Sequence, residues 1–533
     1  MVDVPRAEPA TTAQRIGLCV GPLLAVLVYW LAPAAVLNES GEVVGGLTRE
    51  GRTVAAVAVL MATWWMTEAL PISATALLPV ALLPLLGVST IKVAAAPYAS
   101  PVIALFLGGF LLGLSMQRWG LHKRIALLTI VLFGTRPRAI IAGFMAASAI
   151  LSMWVSNTAT AAMMLPIGIS VIHLVYSRLE GEFDPDRAGR GAQPGANFGV
   201  CIVLGIAYAC SVGGLGTLIG TPPNMVLKGF LERTYGERID FVRWMYLGLP
   251  LVLVMLPLMW GILTYFVFPV KLREIPGRAD VIRRELRALG PMNAGEWAVF
   301  LVFCCTAVAW ITRPLLVEWF GLRAMFDGRV EDLLTDEGIA IVAALLLFII
   351  RVPLQRDAML TEQPVKRRWA PVMNWQMAES IPWGVLILFG GGLSLAGAIQ
   401  SAGVDAFLGR QFTMLAGLPT FLVVLGVAGA VIFLTEVTSN TAVATTLMPV
   451  LAAAGVGMGI PPEMLLVPAA IAASLAFMLP VGTPPNAMAF GTGYVKMPQM
   501  IRAGFVLNIV SMVVTTVVCY YLVGPMLGLD LSK

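Results

Sequence analysis

Apolar residues along this chain come in long runs rather than in alternation. The runs fall near 16–36, 53–69, 71–88, 101–117, 139–176, 198–227, 244–270, 295–317, 338–350, 382–404, 411–456, 464–492 and 503–527. A helix that crosses a bilayer needs roughly 20 apolar residues. An open sheet edge cannot sit in hydrocarbon, because its amides and carbonyls would lack partners. The runs therefore read as helices, and the expected fold class is an all-α polytopic membrane protein. The first dozen residues are polar and lack a signal-peptide cleavage pattern, so 16–36 reads as a retained first helix.

The polar stretches between the runs set an orientation. Residues 118–138 carry Arg118, His122, Lys123, Arg124, Arg136 and Arg138 without an acid, 271–290 carry six bases, and 351–368 end in Lys366, Arg367 and Arg368. Loops rich in Lys and Arg stay cytoplasmic. The acidic stretch 318–337 should face out, and 228–243 decides nothing. On this reading the N-terminus is cytoplasmic and the C-terminus outside, and the expected location is a bacterial inner (plasma) membrane. Two runs, 139–176 and 411–456, are about twice the length of a spanning helix. Each is interrupted near its middle by a polar tripeptide. With 118–138 and 178–196 on one side, the first must enter and leave on that side. It becomes a re-entrant hairpin, tolerated only where protein or a cavity surrounds it.

Composition narrows the class further. Of 533 residues 58% are hydrophobic and 12% charged, with a mean hydropathy of +0.86. These values exclude a soluble enzyme, a nucleic-acid binder and a disordered protein. They leave room for on the order of 10–12 spanning segments. The net charge of +5 says little about partners. The six cysteines lie in apolar stretches without metal or disulfide spacing and read as buried free thiols.

The halves of the chain share strings in the same order. The first holds LFLGGFLLGLS (105–115), WVSNTATAAMMLPIG (154–168) and GTLIGTPPNMV (216–226). The second holds LFGGGLSLAG (388–397), EVTSNTAVATTLMPV (436–450) and LPVGTPPNAMA (479–489). If the first hairpin enters from inside, the second enters from outside, which makes an inverted repeat. Broken helices within inverted repeats mark secondary transporters.

The prolines of Pro222-Pro223 and Pro484-Pro485 break their helices, and Gly220 and Gly482 allow close backbone approach. Each break frees carbonyls for a cation and amides for an anion. Taken singly, such residues glue or kink helices; four in symmetric pairs exceed that role. The segments 139–172, 198–227 and 464–495 hold no charged side chain, and 411–462 hold Glu436 alone. A bound anion would be offset by helix amino ends and co-bound cations, and neutral oxygens suit a hard cation. The residues thus point to cation-coupled anion uptake and leave the anion open. Glu68 is readable as a helix cap or an intramembrane acid, and Glu436, four residues before Asn440, as structural support or an ion contact. Trp64, Trp65, Trp119, Trp260 and Trp383 suggest interfacial belts. Asn38-Glu39-Ser40 is a glycosylation sequon, relevant only in a eukaryotic secretory route. Neither a channel lining nor a nucleophile–base pair is legible, so no enzyme, cofactor or nucleic-acid partner is expected.

WWMTEALPISATALLPV (64–80), LFLGGFLLGLSMQRWGLHKRIAL (105–127) and both pairs of strings resemble the divalent anion/sodium symporter family, in particular its INDY-type sodium-coupled dicarboxylate transporters. The resemblance runs from about residue 50 to the C-terminus. It implies a homodimer with eleven transmembrane helices and two re-entrant hairpins per protomer, and an elevator mechanism. Scaffold segments 1–135 and 291–405 would hold transport segments 136–290 and 406–533. Hairpin tips would lie at 156–158 and 439–441, and helix breaks at 220–224 and 482–486. The resemblance implies one sodium site at Ser152, Ser156, Asn157 and the carbonyl of Gly220. It implies a second at Thr435, Thr438, Asn440 and the carbonyl of Gly482. Substrate carboxylates would meet Asn157, Thr158, Asn440 and Thr441, with Thr221, Pro222, Thr483 and Pro484 lining the pocket. The implied activity is sodium-coupled uptake of C4 dicarboxylates such as succinate, malate and fumarate. Sodium-independent exchange, or carriage of citrate or sulfate, is the alternative.

Overall fold

The computed structural model describes residues 11–38, 43–134, 136–178, 196–272, 279–319, 334–353, 369–415 and 417–527. The sequon's Glu39 and Ser40, the stretch 179–195, most of the acidic stretch 318–337 and the bases at 366–368 lie outside them. Among the described residues, eight helices are long and apolar enough to cross a membrane. They are Thr12–Leu31, Ile91–Arg118, Asn197–Gly216, Phe241–Val267, Ala294–Arg313, Trp383–Ser401, Asn440–Met458 and Met497–Leu527. Shorter apolar helices stand between them, and the strands form two small antiparallel ribbons. The chain is a helical integral membrane protein.

The packing is that of a protein in lipid. Helix Thr12–Leu31 buries only Gly17 and Gly21 and exposes its leucines. Lipid removes the need to hide leucine, whereas small residues let helices approach closely. Gly17 packs against Thr67 and Gly21 against Trp64, whose Nε1 donates to the Gly17 carbonyl at 3.1 Å. The helix Arg49–Thr67 that supplies both ends at Glu68, whose φ of 49° makes a left-handed cap. That settles its local role as a helix stop.

The repeat is exact in register over its first part. Helices begin at Leu121 and Val404, at Pro137 and Thr420, and at Asn157 and Asn440. Gly120 and Gly403 precede the first pair, both left-handed, with φ of 76° and 68°. Pro137–Ser152 with Asn157–Arg178 forms the first hairpin, and Thr420–Thr435 with Asn440–Met458 the second. Each double-length run is thus two helices and a four-residue turn.

Other expectations need correction. Residues 118–138 are not a plain loop, because Leu121–Phe133 is helical and buries Leu121, Ala126, Leu127 and Ile130. Its bases mask an amphipathic helix. The two runs that hold Pro-Pro pairs do break, as those prolines lead one to expect: 198–227 is two helices, Ala196–Gly213 and Pro222–Tyr235, and 464–492 divides into Glu463–Ala472 and Pro484–Gly491. Trp65 is fully buried, its Nε1 donating to the Ile72 carbonyl at 3.1 Å, so it belongs to no interfacial belt. All six cysteines are free thiols, but Cys19 and Cys305 are exposed, on helix faces that lipid can cover.

The broken helices form the centre. Ala196–Gly213 packs on both legs of the first hairpin and on Pro484–Gly491 of the second break. Met497–Leu527 packs on Thr420–Thr435, Glu463–Ala472 and Phe241–Gly261. A buried ionic network lies beside them. Lys228 Nζ meets Glu337 at 3.0 Å, and Arg313 meets Asp336 at 3.4 Å and Asp240 at 3.6 Å.

Close helix contact makes a specific demand at Gly213. A Cβ there would lie 2.4 Å from the Ala149 Cα and carbonyl oxygen, main-chain atoms that cannot swing away. Gly213→Ala should destabilise the chain by about 1–3 kcal/mol, as overpacking does. Gly261→Ala, where nothing lies within 4 Å, should not. Thermal unfolding of the purified chain in detergent checks the pair; equal melting temperatures would contradict this packing.

Candidate functional site

The hairpin tips start as local helix punctuation. Ser156 caps Asn157–Arg178, its Oγ accepting from Ala159 N at 3.3 Å, as serine does at a helix start. The amides of a first helical turn have no partner within the helix, which favours an anion there. Across each turn one hydroxyl meets one amide oxygen. Ser152 Oγ donates to Asn157 Oδ1 at 2.5 Å, and Thr435 Oγ1 donates to Asn440 Oδ1 at 2.7 Å. This hydroxyl–amide pair is built twice, although Ser439 makes no cap bond like that of Ser156.

The breaks repeat as closely. Thr221 and Thr483 are extended, with φ of −145° each, and a proline opens the next helix. Proline suits that position because its missing N–H is not needed there. The asparagine that closes each Gly-Thr-Pro-Pro-Asn string then reaches back. Asn224 Nδ2 donates to the carbonyls of Gly214 (3.2 Å) and Thr217 (2.9 Å). Asn486 Nδ2 donates to those of Ala476 (3.0 Å) and Leu479 (3.2 Å). Both asparagines are fully buried. In the sequence neither asparagine stands out except by its place at the end of both repeated strings.

Tip and break meet in each repeat. A Cβ on Gly214 would lie 2.8 Å from Asn157 Oδ1 and 3.0 Å from the Gly220 carbonyl oxygen, so these two oxygens converge on one point. Ser152, Asn157 and Gly220 are therefore brought together, with Ser156 exposed at the tip. Thr217 Oγ1 also ties the break to the tip by donating to the Met153 carbonyl at 2.5 Å. In the second repeat Thr435 Oγ1 lies 3.0 Å from the Ala473 carbonyl, and Gly482 packs against Glu436. The Thr438 hydroxyl turns back to donate to the Leu434 carbonyl at 2.8 Å, so its side chain is committed to the end of the preceding helix. Glu436 accepts from the main-chain amides of Phe477, Met478 and Leu479 and from Asn508 Nδ2.

The breaks also touch each other. Thr221 Oγ1 lies 3.2 Å from Ser474 Oγ, and the Tyr208 hydroxyl donates to the Phe477 carbonyl at 2.7 Å. Thr221 and Thr483 are buried, Thr441 nearly so, Asn157, Thr158, Asn440 and Pro222 half-buried, and Pro484 exposed. No hydrogen bond among the described residues joins the two tips directly. A cavity of about 170 Å³ beside the first tip is lined by Ser156, Gly113 and Gln117. Another of about 540 Å³ beside the second is lined by Ser439, Thr441 and Glu68. Pro382 forms part of both walls. Among the described residues no three His, Cys, Asp or Glu side chains gather as a metal site. The oxygens that the tips and breaks bring together are those of hydroxyls, amides and carbonyls, a donor set suited to a hard cation and not to a transition metal.

Residues 21–529 match the family model described as the sodium:sulfate symporter transmembrane region. The chain belongs to the divalent anion/sodium symporter family. Among its relatives, a sodium-dependent dicarboxylate transporter SdcS of Staphylococcus saprophyticus is 41% identical over 521 residues, 98% of this chain and 93% of that protein. The SdcS protein of Staphylococcus aureus strain MRSA252 is 41% identical over 530 residues, 99% of this chain and 95% of that one. In fold the chain is similar to the crystal structure of the Alcanivorax borkumensis YdaH transporter. The TM-score is 0.54 at 12% identity, covering 96% of this chain and 98% of that one. Membership of a symporter family makes the chain a membrane transporter, and the resemblance drawn from the paired motifs holds.

In this symporter the two buried asparagines should carry structural weight that their surroundings cannot replace. Asn486→Ala leaves two carbonyls of the break without a donor and should cost about 1–3 kcal/mol per group left unpaired. Asn224→Ala should behave alike. The check is the melting temperature of each purified variant against wild type; no change in either would contradict the pinning role.

Proposed function

We propose that this chain is a sodium-coupled carrier of C4 dicarboxylates such as succinate, malate and fumarate. The observation that carries this reading is the paired tip-and-break cluster. In each, a hydroxyl, an asparagine oxygen and a freed carbonyl lie together, and the Ser-Asn-Thr and Gly-Thr-Pro-Pro-Asn strings themselves hold no Lys or Arg. A dianion entering such a site needs positive charge from elsewhere. Helix amino ends at Asn157 and Asn440 supply part of it, and co-transported sodium the rest. The SdcS relatives, sodium-dependent dicarboxylate transporters by name, support both the ion and the substrate class.

On this reading Ser152, Ser156, Asn157 and the Gly220 carbonyl hold one sodium ion. Thr435, Asn440 and the carbonyls of Thr438 and Gly482 hold another. Asn157, Thr158, Asn440 and Thr441 receive the carboxylates, and Thr221, Pro222, Thr483 and Pro484 complete the pocket. The protein works as a homodimer of eleven-helix protomers in a bacterial plasma membrane, its N-terminus inside and its C-terminus outside. Residues 136–290 and 406–533 move as an elevator against 1–135 and 291–405. Lys228–Glu337 and Arg313–Asp240 then span the sliding boundary and belong to one end of the stroke. An uptake with at least three sodium ions per dianion is electrogenic.

The test is radiolabelled succinate uptake into proteoliposomes with an inward gradient of sodium or of choline. Sodium-dependent uptake that rises with an inside-negative potential is expected. Asn157→Ala and Asn440→Ala should each reduce it by tenfold or more, on the order of the loss of one charge-assisted contact. Uptake indifferent to sodium but driven by internal succinate would make the chain an exchanger. Normal uptake by either variant would refute the site assignment.

A further inference from the structure

Residues 473–483 of the second break form no helix, yet they lie at the centre of a protein in lipid. Their amides have lost helical acceptors, and an unpaired buried amide is costly there. One side chain takes up three of them in sequence. Glu436 Oε1 accepts from Phe477 N at 2.7 Å and Met478 N at 2.8 Å, and Oε2 accepts from Leu479 N at 2.9 Å. Asn508 Nδ2, from helix Met497–Leu527, adds a fourth bond to Oε1 at 2.7 Å. Glu436 is 3% exposed and forms no ion pair among the described residues. An anion bound by successive main-chain amides is a nest, here with a side chain as the anion.

The first repeat lacks this device. Met153 stands at the matching position, 283 residues before Glu436 as Asn157 stands before Asn440. There a single hydroxyl, Thr217 Oγ1, links break to tip through the Met153 carbonyl. The second repeat thus holds its unwound segment with a fixed negative charge, and that charge lies next in sequence to Thr435. A Cβ on Gly482 would lie 3.2 Å from Glu436 Oε2, which places the carboxylate against the unwound segment.

We propose that Glu436 is the positioning residue of the second tip, replacing helical carbonyls as acceptor so that the 473–483 segment stays open for a cation. It touches neither ion nor substrate. Its charge makes the two cation sites unequal, the second binding sodium more tightly than the first. This inference rests on the sodium-coupled reading above.

The experiment measures succinate uptake against sodium concentration in proteoliposomes holding wild type, Glu436→Gln or Asn508→Ala. Size-exclusion chromatography and thermal unfolding of each variant accompany it. Glutamine keeps the shape but presents an N–H to at least one main-chain N–H. Its half-saturating sodium concentration should rise about tenfold, as for loss of a charged hydrogen bond. The maximal rate and the succinate KM at saturating sodium should stay within about threefold of wild type. Asn508→Ala keeps all three main-chain bonds and should shift the sodium curve in the same direction by less, and it decides the matter if Glu436→Gln does not fold. A folded Glu436→Gln with the wild-type sodium curve overturns the proposal. So does a maximal rate lost at every sodium concentration with no shift of the curve, and so does an unshifted curve for a folded Asn508→Ala when Glu436→Gln does not fold. Sodium-independent uptake by wild type would instead sink the coupling reading, and this inference with it.

Discussion

Lipid cannot solvate a backbone, so any helix that comes apart in the membrane must find partners inside the protein. That constraint governs the centre of this molecule. Two helices open at 214–221 and 473–483, and each opening is held by a buried asparagine ten residues after the first carbonyl it pins. Once the openings are pinned, the remaining carbonyls and first-turn amides are free to face a ligand. The hairpin tips then bring the oxygens of Ser152–Asn157 and Thr435–Asn440 to the same places. On the proposed reading, the ligand site is a by-product of how the breaks are stabilised.

The two halves solve the same problem with different side chains. The tips use serine in one and threonine in the other, with the same spacing to asparagine. The breaks share Asn224 and Asn486 but diverge at Met153 and Glu436. Duplication explains the likeness of the frame. The bracing has diverged, with Met153 in one half where Glu436 stands in the other, and it leaves the two tips electrically unequal.

Much of this was legible in the sequence because it is local. Apolar runs marked helices, the Ser-Asn-Thr strings marked turns, and Pro-Pro marked the breaks. The paired strings also carried the family resemblance. What escaped was either amphipathic or long-range. Leu121–Phe133 hid among basic residues because its buried face is only four residues wide. The bonds from Glu436 to residues 477–479 and to Asn508 span 41 to 72 positions, and no periodicity predicts them. Lys228 and Glu337 likewise find each other only in the folded chain. A tryptophan near a helix end looks interfacial whether it faces lipid or core, and Trp65 faces the core.

The central claim is that the mirrored tips and breaks form the ligand site. The most direct measurement is an experimental structure of the chain in lipid nanodiscs with sodium and succinate. The account predicts one succinate between Asn157–Thr158 and Asn440–Thr441, with ion density beside the Gly220 and Gly482 carbonyls. A bound succinate that touches neither Asn157 nor Asn440 would contradict it.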